Sequence, residues 1–208
     1  MSNGKKRKSK AHGIMGRSDI PFAKRMAMQH QSDIVVNRDH AAKIVMYCMS
    51  VAMHELEGIG YKRLVRFSFH FKQVVDEFYE DPEVGMAHAK RYMEQIGMPV
   101  SGEFYTINVK GQSRRAQNLD NHKLQASQIA LLCGAITMNK EFGFGQERQT
   151  RISDRVTELT GRYAKEGEKF LLEEMEKIGF LIVDGDVRAC IDDDGNAVSL
   201  KNWREQQC

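Results

Sequence analysis

The sequence predicts a mostly α protein, a tandem duplicated three-helix unit of roughly 65 residues with a short C-terminal β-hairpin. Three observations predict it. The chain matches itself at an offset of 85 positions, apolar residues recur at steps of three and four, and only three prolines interrupt 208 residues that include twelve methionines.

The offset places Cys48 on Cys133, Met53 on Met138, and Gly58 and Gly60 on Gly143 and Gly145. It continues through Arg63 and Arg148, Arg66 and Arg151, Phe67 and Ile152, Phe71 and Val156, Val74 and Leu159, and Phe78 and Tyr163. Glu94-Gln95-Ile96-Gly97 then matches Glu176-Lys177-Ile178-Gly179 after a loss of three residues, which fits a shortened connection between helices.

Each copy therefore reads as helix, Gly-x-Gly turn, helix, short break, helix. In the first copy the helices are expected at 38–57, 61–80 and 82–96, and in the second at 119–142, 146–163 and 166–178. The first helix of each copy is apolar around much of its circumference (Ile44, Val45, Cys48, Val51; Ile129, Ala130, Cys133, Ile136), so it is the expected central element. The second helix is amphipathic, with one stripe facing the core.

Asp81-Pro82 supplies an N-cap followed by proline at the first helical position, and Gly97 and Gly179 are natural stops. Phe180 to Val183, the turn Asp184-Gly185 and Val187 to Ile191 read as the hairpin. Tyr105 to Lys110 reads as one isolated strand. The expected organisation is a flexible basic arm over 1–30, repeat one over 31–103, a basic linker over 104–118, repeat two over 119–180, and hairpin and tail over 181–208. Two such units form one domain if each shelters the other's apolar face, or stand as separate beads on the linker.

The net charge of +3 hides an asymmetry. Residues 1–30 hold eight Lys/Arg against one acid, and the remainder hold 23 against 27, or +7 against −4. The tip Lys5, Lys6, Arg7, Lys8 and Lys10 is too polar to bury and too like-charged to fold alone. It suits a polyanion such as nucleic acid, and it equally suits a solubilising tail. With Lys110, Arg114 and Arg115 of the linker it forms the first set of candidate contacts.

The second set lies on the second helices. Arg148, Arg151, Arg155 and Arg162 fall at steps of three, four and seven on one face, and Arg63, Arg66 and His70 begin the same face in copy one. Guanidinium groups so aligned could follow a phosphate backbone or an acidic protein surface, or form a solvated face with Glu77 and Glu158.

Catalytic and metal motifs are incomplete. Gly58 to Arg63 and Gly143 to Arg148 follow helices, not the strand that precedes a phosphate-binding loop, so the glycines read as helix C-caps with positive φ. His54-Glu55 lacks the second histidine four positions on, where Gly58 stands. Asp192-Asp193-Asp194-Gly195-Asn196 lacks the spacing and distal glutamate of a calcium loop and reads as an acidic turn. Asp120-Asn121-His122 cannot converge on one atom, and helix capping by Asp120 is the simpler use. The four cysteines form no Cys-x-x-Cys pair and read as reduced thiols. No catalytic residue, metal site or cofactor is assigned. With neither an apolar leader behind the basic start nor a span of about 18 apolar residues, the expected location is the cytoplasm.

An apolar helix ending in Gly-x-Gly-x-x-Arg and followed by an amphipathic helix, at Gly58 to Arg63 and Gly143 to Arg148, resembles small helical proteins encoded by phages and mobile elements of gut Firmicutes. That neighbourhood includes transcriptional regulators, phage accessory factors and anti-CRISPR inhibitors. The resemblance implies a non-enzymatic protein that inhibits or modulates a host nucleic-acid machine, plausibly a type II CRISPR nuclease, through protein contact, DNA contact or both. A DNA-binding regulator reading successive grooves with its second helices, and a self-assembling structural phage protein, are the alternatives. The shared positions are turn and core, so no functional residue carries over.

Overall fold

The computed structural model describes residues 22–100, 106–192 and 194–206, and of residues 22–27, 201, 205 and 206 only the helical backbone. Among the described residues seven helices and one small sheet follow in order: α1 (Phe22–Glu57), α2 (Tyr61–Glu80), α3 (Pro82–Gln95), α4 (Arg114–Phe142), α5 (Gln146–Glu166), α6 (Glu168–Ile178), β1 (Leu181–Val183), β2 (Asp186–Arg188) and α7 (Leu200–Gln206).

Two helices start earlier than expected. α1 begins at Phe22 rather than residue 38, so the last part of the expected arm is helical, and α4 begins at Arg114 rather than 119, so it takes in part of the expected linker. The reason at α4 is its cap: Ser113 accepts from the Ala116 amide at 3.3 Å. Asp120 consequently sits inside the helix, where it accepts from Gln112 at 2.5 Å instead of capping. The strand expected at Tyr105 to Lys110 is absent from the described residues 106–110. That stretch lies instead along the first turns of α4, with the Ile107 amide donating to Asn121 at 2.8 Å and Gln117 donating to the Ile107 carbonyl at 3.1 Å.

Matched positions in the two halves share local geometry. Gly58 (φ 62°) and Gly143 (φ 64°) end α1 and α4 in the left-handed region that L side chains disfavour. Each amide closes the helix on the carbonyl four residues back, Gly58 on His54 at 3.1 Å and Gly143 on Asn139 at 2.9 Å. α3 and α6 also end alike. The Met98 and Phe180 amides reach back to the Met93 and Met175 carbonyls at 2.8 and 3.1 Å.

The helices are intertwined across the halves. α5 and α6 pack on α1, while α2 and α3 pack on α4, so each second helix covers the first helix of the other half rather than its own. α1 and α4 run parallel at the centre, since Asp33 meets Arg115 and, farther along, Met49 meets Gly134. Met49 and Gly134 are themselves partners at the 85-residue offset. A Cβ on Gly134 would stand 2.3 Å from the Met49 sulfur, so the thioether crosses between the two helices over a position without a side chain. One continuous core results, with Cys48, Met53, Cys133 and Met138 from the central pair, Phe67 and Phe71 from α2, Ile152, Val156 and Leu159 from α5, and Leu171 and Met175 from α6. The beads-on-a-linker organisation is incompatible with it.

The hairpin forms with Leu181 opposite Arg188 and Val183 opposite Asp186. Its turn uses Asp184 (φ 53°) and Gly185 (φ 81°), both positive as a type I′ turn requires. The expected second strand is shorter, ending at Arg188, and an isolated bridge joins Ile191 to Ala197 beyond it. Tyr61 anchors this region to α2, accepting from the Cys190 amide at 2.5 Å. Among the described residues no helix is long and apolar enough to cross a membrane.

Candidate functional site

Arginines of the second helices pair at the surface with glutamates of the opposite half. α2 runs antiparallel to α4, which brings its first turns against the last turn of α4. Arg66 meets Glu141 at 2.8 Å, His70 bonds the same carboxylate, and the Arg63 guanidinium lies 4.9 Å over the Phe142 ring. α5 repeats the arrangement on α1. Arg151 and Arg148 hold Glu57 at 2.8 and 3.6 Å, and Arg155 holds Glu55 at 2.8 Å and Glu158 at 2.7 Å.

Glu57 and Glu141 are nearly buried, with side chains 10 and 15 % exposed. The hydrogen bonds that Arg155 donates to Glu55 and then to Glu158 hold its pKa still further above its usual high value. Arg162 pairs with Glu166 at 3.0 Å and lies 3.9 Å over the Phe170 ring, and the guanidinium holds the Glu166 carboxyl below its usual range. Of the candidate contacts, Arg63, Arg66, Arg148, Arg151, Arg155 and Arg162 thus already have partners within the chain. Sequence reasoning found the face but not these partners, because Glu55, Glu57 and Glu141 lie 75 to 100 positions away from the arginines they meet.

Lys110, Arg114 and Arg115 are exposed at the opposite end of the bundle. The parallel course of α1 and α4 sets this cluster beside the first turns of α1, with Arg115 on Asp33 at 2.9 Å. The start of α1, whose residues 22–32 include no acid, therefore lies at the same end as these linker cations. Lys5, Lys6, Arg7, Lys8 and Lys10 lie outside the described residues, in the sequence that runs into that same end.

Grooves flank the central pair. One of about 470 Å³ lies between α1, α4 and α5, with Ile44, Val45, Leu131 and Val156 on its floor and His40, hydrogen-bonded to Tyr163 at 3.0 Å, at its rim. A second, of about 550 Å³ between α1 and α2, is rimmed by Arg38, Lys43, Lys72 and Asp76. A third, of about 320 Å³, lies between α2, α3 and α4. Burial pushes the Cys48 and Cys133 thiols up to about 12, which keeps them protonated and unreactive at neutral pH. Among the described residues no group of three His, Cys, Asp or Glu could hold a metal ion.

The geometry defines a helical protein with an internally neutralised body and one basic end. Comparison with protein-family models, curated proteins and solved structures finds no match for the chain.

Proposed function

We propose that the chain is a non-enzymatic binding protein, built from a duplicated helical module, that inhibits or modulates a host nucleic-acid machine. The target class suggested by the phage-type resemblance is a type II CRISPR nuclease. The proposed contact surface is the exposed set Lys110, Arg114 and Arg115, with Lys5, Lys6, Arg7, Lys8 and Lys10 of the sequence's basic arm as further contacts. The observation that supports it is the parallel register of α1 and α4, which sets the exposed Lys110, Arg114 and Arg115 beside the start of α1, while Arg66, Arg148, Arg151, Arg155 and Arg162 already pair with glutamates.

The test is capture from host lysate by the full chain, with and without nuclease digestion. Capture of a nucleic-acid-processing protein should survive digestion and be lost in the K110E/R114E/R115E triple variant, whose melting temperature should stay near that of the parent because these side chains are exposed. Capture that disappears with the nucleic acid, or that the triple variant retains, overturns the reading.

A further inference from the structure

The second half buries a polar side chain where the first half buries an apolar one. Gln149 is 3 % exposed, and its partner at the 85-residue offset is the fully enclosed Leu64. The Gln149 amide nitrogen donates to the Ala135 carbonyl at 3.1 Å and to the Phe144 carbonyl at 2.8 Å, which settles which end of the amide is which. The amide oxygen is buried and meets no donor from the described residues. Buried polar atoms ordinarily have a partner, so this acceptor calls for one.

Gln149 stands in the wall of a cavity of about 240 Å³ between α4 and α5. Three thioethers share that wall, Met49 from α1, Met98 from the segment after α3, and Met138 from α4. The exposed Asp154 lines it as well. No described residue hydrogen-bonds or ion-pairs with the Asp154 carboxylate, and its neighbours Arg151 and Arg155 are held by Glu57, Glu55 and Glu158. At the offset Asp154 matches Phe69. The buried acceptor and the unpaired carboxylate therefore both belong to the second half alone.

From this we infer that the cavity between α4 and α5 is a binding site for a small arylalkylamine with a hydroxyl on its ring. The buried end offers one uncharged acceptor, so the group that enters is a neutral O–H donor, since an ammonium there would lack a counter-charge. The exposed end offers a carboxylate, so the group left at the mouth is the cation. Between them, methionine sulfur favours an aromatic ring. An apolar cavity of about 150 Å³ takes a benzene molecule, so about 240 Å³ has room for a ring and a two-carbon chain. None of Lys110, Arg114 and Arg115 lines the cavity, so its ligand does not depend on the proposed contact surface.

The experiment titrates the full chain by calorimetry with tyramine, with phenethylamine, which lacks the hydroxyl, and with 3-(4-hydroxyphenyl)propionate, which reverses the charge. Tyramine should bind one to one with a Kd below about 1 mM, and each of the other two about tenfold or more weakly. The methyl resonances of Met49, Met98 and Met138 should shift as tyramine is added, because the ring lies among them. Gln149→Leu, which copies the first half, should weaken tyramine about tenfold and leave phenethylamine within about twofold. Asp154→Asn, at an exposed position that leaves the fold intact, should weaken both amines by about the same factor.

Failure of tyramine to bind at millimolar concentration, equal binding of all three compounds, binding that leaves those three methyls unmoved, or full tyramine affinity in Asp154→Asn overturns the inference. The Gln149 oxygen would then be satisfied by water alone. Each of these results leaves the outcome of nuclease-resistant capture untouched, so the cavity and the proposed function fail separately.

Discussion

The stem of the central pair, residues 44–53 against 126–138, and its basic end, residues 28–43 against 106–123, belong to the same two helices but solve different problems. In the stem, Cys48, Ala52, Met53 and Cys133 are fully enclosed, and charged groups occur only as ion pairs at its lower rim. At the basic end Met28, Val36, Ile107 and Val109 are exposed beside unburied cations. The difference teaches that α2 and α5 are long enough to cover the stem and no more. What they leave uncovered is the surface on which the proposed contact rests.

The largest break in this comparison should come from the stem. Phe67→Ala removes a fully enclosed ring that lies 6.3 Å from Phe142 across the halves, and should lower stability by about 3–5 kcal/mol in urea titration. Gly134→Ala forces Met49 from its place and should cost about 1–3 kcal/mol. The M49A/G134A pair should lose less than the sum of its members, because the smaller side chain removes the clash that the added methyl creates.

Alkaline pH should act on the stem next. Burial raises the Cys48 and Cys133 thiols from about 9 to about 12, so the folded state keeps protons that the unfolded chain releases. Their contribution is complete below pH 9 and declines as pH rises from 9 toward 12, by about 1.4 kcal/mol per pH unit for each thiol. The C48A/C133A variant should show a shallower alkaline loss in the same denaturation series.

Smaller effects separate the rim from the basic end. Glu57→Ala leaves Arg148 and Arg151 without their shared carboxylate and should cost about 1 kcal/mol, the guanidinium groups being half exposed and screened by water. Val36→Glu, on the exposed side of α1, should change stability by no more than about 0.5 kcal/mol. A large loss there would show that the end is packed after all, and would remove the contrast on which the proposed contact surface depends.

Much of the fold was legible because its signals are local. The periodicity of Phe67, Phe71 and Phe78 marks one face of α2, Asp81 with Pro82 marks the start of α3, and the glycines at 58 and 143 mark helix ends through a backbone requirement that needs no neighbour. The starts of α1 and α4 were missed for an equally physical reason. Residues 22–37 and 114–118 lack a strong apolar stripe, and their helices are continued upward from a stem that tertiary packing holds.

For the candidate site, the basic segments could be read from charge, but their meeting could not. Arg114 and Arg115 looked like linker residues, and only the parallel course of α1 and α4 sets them beside Asp33. The arginine faces show the converse, since their spacing was visible and their glutamate partners were not.

The sequence by itself determined the helices, their glycine-marked bends, the repeated pattern and the imbalance of charge, because propensity, capping and periodicity act within a few residues along the chain. Only the tertiary structure decided that each half lends its second helix to the other, that Met49 crosses over Gly134, and that the body's arginines are spent on its own glutamates while the basic end is left open. Those outcomes depend on which distant surfaces bury one another, and a helix's apolar stripe states that it needs a partner without stating which one.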